Sequence, residues 1–173
     1  MSQSFKILPS QLEDIPALVK LVNSAYRGES SKKGWTTEAD LLDGSRTDAA
    51  DLIAVLQSTT DRILKYCDTS NRIVACVHLQ EQKQKIYLGM LTVSPELQAG
   101  GIGKLLLAAA EQYAKDRHAE SIMMTVISVR KELIEWYERR GYKRTGETKP
   151  FPHDPRFGIP KQELVFIVLE KKL

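Results

Sequence analysis

The sequence predicts one mixed α/β domain over residues 1–173, with a central, largely antiparallel sheet flanked by helices. Three observations predict it. Apolar residues recur at helical spacing as far as Leu56 and at extended spacing from Arg62. Three extended segments then follow, joined by short polar turns, the pattern of an antiparallel meander. After them helices and strands alternate, and the passage Lys85 to Ile127 reads strand–helix–strand, the one stretch where a crossover would set two strands parallel.

Phe5 to Leu8 is short and apolar, a first strand. Ser10 and Glu13 stand at capping-box spacing, Asp14 is a second N-cap candidate, and Pro16 suits a first turn. Ile15, Val19, Val22 and Tyr26 mark a helix running to about Tyr26. Arg27 to Gly34 reads as a loop, and Trp35-Thr36-Thr37-Glu38 as the start of a short helix reaching Leu42. Asp48 can cap another helix through Leu56, with Leu52, Val55 and Leu56 on one side. Arg62 to Cys67, Arg72 to Gln80 and Lys85 to Val93 form the meander. A strong helix from about Gly101 to His118 follows, with Ile102, Leu105, Leu106, Ala109 and Tyr113 as its buried stripe. Ser121 to Ile127 is a strand. Arg130 to Arg140 is a helix that Gly141 stops. Tyr142 to Glu147 is a strand, Lys149 to Pro160 a proline-rich loop, and Leu164 to Leu169 a closing strand.

A hydrophobic fraction of 42% and a charged fraction of 27% are ordinary for a globular protein. The net charge of +3 is scattered along the chain, without the basic stripe and aromatics of a nucleic-acid module and too weak for an anionic membrane. Cys67 and Cys76 lie in apolar surroundings with no histidine at ligand spacing, so they read as buried thiols, and no metal site is expected. No basic segment followed by an apolar run opens the chain, and no apolar stretch approaches the ~20 residues of a membrane span. The expectation is a soluble cytoplasmic protein with no membrane partner.

Between the third meander strand and the long helix the chain reads Gln98-Ala99-Gly100-Gly101-Ile102-Gly103-Lys104. Glycines there either let backbone amides converge on an anion at a helix start, or make a tight, closely packed turn. A P-loop is excluded, because Leu105 follows Gly103-Lys104 and Gln98 stands where the first glycine belongs. A dinucleotide fingerprint is excluded too: Leu106 occupies the third glycine position, and the next strand closes on Ser128 rather than an acid.

Q-x-x-G-x-G after Leu91-Thr92-Val93-Ser94-Pro95 strongly resembles the acetyl-coenzyme-A motif of the GNAT superfamily of N-acetyltransferases. Leu133 to Tyr142 (L-I-E-W-Y-E-R-R-G-Y) is similar to a second family signature, and the element order agrees from about Phe5 to Leu169. The resemblance implies a GNAT-type fold whose seven-stranded sheet splays apart between the strands ending at Val93 and Ile127. It implies that amides of Gln98, Ala99, Gly100, Gly101, Ile102, Gly103 and Lys104 cradle the coenzyme-A pyrophosphate. Leu91, Thr92 and Val93 then form the strand along which pantetheine lies, paired through Leu91 and Val93. An amide near Leu91 would polarise the thioester carbonyl, and Tyr137 would protonate the departing thiolate. Lys104 adds charge near a phosphate or is a solvated helix lysine.

Two positions depart from the family. Arg130 stands where many members have a pantetheine-contacting asparagine; it reaches the coenzyme-A phosphates, meets an acidic acceptor, or faces solvent. The strand Tyr87-Leu88-Gly89-Met90-Leu91 lacks the glutamate that often acts as base. Glu38, with Glu29, Asp40 and Asp43 nearby, is the candidate for that role or for holding a cationic amine; His78 and His153 are further candidates. The expected activity is direct transfer of an acetyl group from acetyl-coenzyme A, as donor substrate, to a small-molecule or peptide amine, in a possible homodimer. The alternative is a non-catalytic acyl-coenzyme-A sensor on the same fold.

Overall fold

Why the glycine loop opens into a cleft follows from the sheet in front of it. The computed structural model describes residues 6–152, 154, 155 and 158–173. Among the described residues the strands are β1 (Lys6–Pro9), β2 (Leu42–Asp43), β3 (Asp61–Cys67), β4 (Ile73–Gln82), β5 (Lys85–Val93), β6 (Ser121–Ile127), β7 (Lys143–Pro150), β8 (Ile159–Pro160) and β9 (Val165–Lys172). The α-helices are α1 (Ile15–Tyr26), α2 (Gly28–Ser31), α3 (Ala49–Gln57), α4 (Ile102–Asp116) and α5 (Lys131–Glu138). Seven strands form one sheet in the order β1-β3-β4-β5-β6-β9-β7, and β2 and β8 form a small second one. Every neighbour pair is antiparallel except β5 and β6.

The parallel pair is short. Lys85, Ile86 and Tyr87 align with Ser121, Ile122 and Met123, and pairing stops there. Beyond that point β5 stays with β4 and β6 stays with β9. The sheet is therefore split between the C-terminal halves of β5 and β6, as the resemblance implies. A bulge deepens the split. Between the pairs His78–Gly89 and Cys76–Thr92, Met90 and Leu91 together oppose Val77, and Met90 has φ +53°.

Helices cover both faces. Leu106, Ala110 and Ala114 of α4 and Ile134 and Tyr137 of α5 pack on Val77, Leu79, Ile86, Leu88, Ile122 and Met124. On the opposite face α1 and α3 bury Leu18, Val22, Ala25 and Leu52 against Ile63 and Cys76. A smaller cluster, Leu42, Ile127, Phe151 and Leu164, seals the open end.

Local sequence chemistry accounts for most element ends. The Asp48 carboxylate accepts from the Asp51 amide at 2.8 Å, capping α3. Gly141, at φ +95°, follows α5. The capping contact before α1 lies one residue off the expected register: Asp14 Oδ2 accepts from the Gln11 amide at 2.8 Å. Leu105 is exposed rather than buried, because α4 turns Leu106, Leu107, Ala110 and Ala114 inward. β7 extends through Pro150, past the expected end at Glu147.

The largest departure from the sequence reading lies in residues 27–42. The expected loop holds the short helix α2, and the expected helix from Trp35 to Leu42 does not form. Long-range bonds capture this backbone instead. The Glu38 amide donates to the Tyr26 carbonyl at 2.8 Å. The Thr36 amide donates to Gln98 Oε1 at 3.2 Å, and its carbonyl accepts from Arg130 Nη2 at 2.5 Å.

Candidate active site

Two clefts flank the split in the sheet. The first, of about 490 Å³, is lined by Leu91 and Val93 of β5, by Gln98, Ala99, Gly101, Ile102, Gly103 and Lys104, and by Leu133, Trp136, Tyr137, Arg139 and Arg140. The glycines do different jobs. Ala99 (φ +69°) and Gly101 (φ +88°) both turn through the left-handed region and bring the chain into α4. Nothing stands within 4 Å of where a Gly101 Cβ would be, so the cradle is open there. A Gly103 Cβ would lie 3.5 Å from the Trp136 ring, ordinary van der Waals contact, so that residue faces α5 rather than the open cradle.

The first amide bonded within α4 is that of Leu105, which donates to the Gly101 carbonyl at 3.1 Å. The amides of Ile102, Gly103 and Lys104 come before it and are left without internal acceptors at the positive end of the helix. An open left-handed turn leading into free amides suits a diphosphate. Lys104, Arg139 and Arg140 line the cleft together with Glu132 and Glu135, so these charges leave a slight positive excess. The Arg140 guanidinium stacks 3.9 Å from the centre of the Trp136 ring.

Gln98 is a clamp. Its Nε2 donates to Thr36 Oγ1 at 2.6 Å and to the Val93 carbonyl at 3.0 Å, which ties the glycine loop to residues 35–38. Gly34 makes room for it: a Cβ there would stand 2.2 Å from Gln98 Oε1.

The second cleft, of about 300 Å³, lies on the other side of the split. Tyr87, Gly89, Met90, Met124, Thr125, Ile127, Phe151 and Phe166 supply its walls, and Arg27, Glu38, Arg46 and Arg130 its charge. Tyr26, Leu91, Leu133 and Tyr137 line both clefts, so the two meet at these side chains. Tyr137 is buried beside the Trp136 and Tyr142 rings. Burial pushes its phenol far above the usual range; Tyr26 adds to this and Arg130 opposes it. The Tyr26 hydroxyl donates to the Leu91 carbonyl on the bulge.

Glu38 is buried between two guanidiniums. Arg27 Nη2 lies 3.2 Å from its Oε1 and Arg130 Nη1 lies 3.3 Å from its Oε2. Arg27 also donates to the Ser45 carbonyl at 3.1 Å. Arg130, expected among the donor-binding residues, lines the second cleft and not the first, because Glu38 and the Thr36 carbonyl hold it there. Thr92 lines neither cleft: it is buried, and its hydroxyl donates to the Met90 carbonyl at 2.9 Å across the bulge. Gly100 lines neither cleft as well. The expected carboxylate cluster around Glu38 does not assemble. Glu29 pairs with Lys32 and Asp43 with Lys161, and neither they nor Asp40 line either cleft.

His78 also lies outside both clefts. Its Nε2 is 2.5 Å from Asp61 Oδ1. Desolvation raises the Asp61 carboxyl, but bonds from Ser58, His78 and Thr60 outweigh it and hold the group below the usual carboxylate range. His153 lies outside the described residues. Cys67 and Cys76 are free and buried, and burial pushes the Cys76 thiol up to about 12. Neither lines a cleft. Among the described residues no group of His, Cys, Asp or Glu could hold a metal ion, and no helix is long and apolar enough to cross a membrane.

Sequence reasoning missed Tyr26, Arg46 and Trp136 as cleft residues. Tyr26 and Trp136 fall on the apolar stripes of their helices, so their spacing marks them as packing. Arg46 sits in a loop without a motif, and long-range bonds fix it near the cleft: Asn23 Oδ1 accepts from the Arg46 amide at 2.7 Å, and the Ser45 carbonyl accepts from Arg27.

Known proteins agree with this geometry. Residues 18–142 match the model of the Acetyltransferase (GNAT) family. Human N-acetyltransferase 8B is 23% identical over 124 residues, which are 68% of this chain and 54% of that protein, so the chain spans about half the length of this relative. The crystal structure of the ribosomal-protein-S18-alanine N-acetyltransferase from Escherichia coli is similar in fold, with a TM-score of 0.73 at 14% identity over 98% of this chain and 94% of that one. The PaiA N-acetyltransferase from Thermoplasma acidophilum, solved in complex with coenzyme A, gives a TM-score of 0.70 at 18% identity over 98% of this chain and 99% of that one. With its split seven-stranded sheet, its glycine loop at the start of α4 and a family match over most of its length, this chain belongs to the GNAT family of acetyltransferases.

Proposed function

We propose that the protein transfers an acetyl group from acetyl-coenzyme A to an amine by direct attack in a ternary complex. One observation carries the reading: two clefts at the split in the sheet share Tyr26, Leu91, Leu133 and Tyr137. The first cleft suits the donor. The amides at 102–104 and the rim of Lys104, Arg139 and Arg140 take the diphosphate, and β5 offers its free edge to pantetheine as another strand would. The second cleft takes the acceptor.

The amine lone pair attacks the thioester carbonyl, and a C–N bond forms. The Leu91 amide stabilises the oxyanion of the tetrahedral intermediate. The C–S bond then breaks, and the thiolate takes the Tyr137 proton. The proton lost by the amine passes to water and returns to Tyr137. No side chain on β5 facing the split is a carboxylate, and both Glu38 oxygens are engaged by guanidiniums, so the amine reacts as its free base.

Thiol release from acetyl-coenzyme A with a panel of primary amines, alongside calorimetric titration of coenzyme A, tests this. Amine-dependent release is expected. Stoichiometric coenzyme-A binding with no release for any amine would mean a sensor rather than an enzyme.

A further inference from the structure

Among the described residues the charges that line the second cleft do not balance. Arg27, Arg46 and Arg130 line it, and among the described residues Glu38 is the only acid that does so. The balance is a formal +2. Arg27 and Arg130 share Glu38 and are held by main-chain carbonyls. Among the described residues Arg46 has no ion pair, although it is half-buried at the cleft wall.

The surrounding walls are apolar, from Met124, Ile127, Leu133, Phe151 and Phe166. Excess positive charge beside such walls is costly until an anion neutralises it, and the low local dielectric strengthens the attraction when one arrives. The same field repels a polycationic amine. A guanidinium also presents a planar fork of donors that fits a carboxylate or a phosphorus oxyanion.

Resting on the acetyltransferase reading, we propose that the acceptor is a small amine carrying an oxyanion a few bonds from its nucleophilic nitrogen, as in a free amino acid or an aminophosphonate, and that Arg46 selects it. Arg130, fixed by Glu38 and Thr36, orients the same group. A peptide N-terminus, whose nearest neighbour is a neutral amide, gains nothing from this charge.

The test uses the full chain and four amines built on one apolar skeleton: leucine, its phosphonate analogue, leucinamide and 3-methylbutylamine. Thiol release from acetyl-coenzyme A is measured for each, with kcat/KM compared per unprotonated amine. At least one of the oxyanion-bearing amines should exceed leucinamide and 3-methylbutylamine by tenfold or more, and the ranking of the first two separates carboxylate from phosphonate. Arg46→Gln should remove most of that advantage through KM and leave coenzyme-A binding unchanged. Equal or better use of the neutral amines by the natural protein, or an advantage that survives Arg46→Gln, overturns the proposal while the acetyltransferase reading stands. If no amine is turned over, calorimetry of N-acetylleucine and N-acetylleucinamide with the coenzyme-A complex decides. Tighter binding of the acid supports the proposal, and equal or absent binding overturns it. Failure to bind coenzyme A at all would instead sink the acetyltransferase reading.

Discussion

At residue 101 the chain needs glycine for its backbone angle. Gly101 has φ +88° with open space where a Cβ would stand, so a side chain there costs conformational energy, roughly 1–2 kcal/mol, and covers the amides behind it. Gly101→Val is therefore expected to abolish coenzyme-A binding in calorimetry while leaving a cooperative melt; unchanged affinity would remove the diphosphate from this loop. Tyr137 poses a different question at the same scale. Its phenol is pushed up, chiefly by burial, so it keeps its proton at pH values where an ordinary tyrosine begins to lose it, near about 10. The acid form is present below the folded pKa, so kcat should show no fall near about pH 10, where an ordinary tyrosine would begin to ionise, and should hold its plateau beyond it. Tyr137→Phe should lower that plateau by ~100-fold or more. A near-normal rate for the variant would make Tyr137 a packing residue.

Between elements, α4 meets the Trp136 ring of α5 at Gly103. Gly103 stands 3.5 Å, by its virtual Cβ, from Trp136, an ordinary van der Waals separation, and its φ is not left-handed. Alanine fits there and is the better helix former by about 1 kcal/mol. Gly103→Ala should raise the melting temperature by about 2–4 °C. A fall in that temperature would mean that the helices cannot accept the added methyl. The two glycines look alike in sequence, and only their angles and neighbours separate them. The segment after α1 was misread for a related reason. Trp35 to Leu42 carries local helix-start chemistry, but Gln98, Arg130 and the Tyr26 carbonyl take its backbone groups first.

Over the whole molecule, Glu38 joins elements distant in sequence: Arg27 just after α1, and Arg130 at the start of α5. All three side chains are at most 10% exposed, so solvent screens the contacts little. Glu38→Gln would take the shared carboxylate from two buried guanidiniums and should destabilise the fold by ~3–5 kcal/mol, read as a large drop in denaturation midpoint. A midpoint close to that of the natural protein would show that the main-chain carbonyls of Thr36 and Ser45 suffice to hold the pair.

Periodicity and turn chemistry along the chain were enough to determine the order of the seven strands of the main sheet and of α1, α3, α4 and α5, the meander, the single parallel crossover and the glycine loop, because each depends on neighbours a few residues apart. Which residues face one another across the split depended on the tertiary structure. The end of β5–β6 pairing after Tyr87, the bulge at Met90 and the capture of Glu38 by two arginines are long-range events with no local signature. Charge explains the difference best: a chain with a scattered +3 says nothing about its partners, yet folding gathers three arginines and one glutamate into a single apolar cleft, where burial makes their imbalance matter.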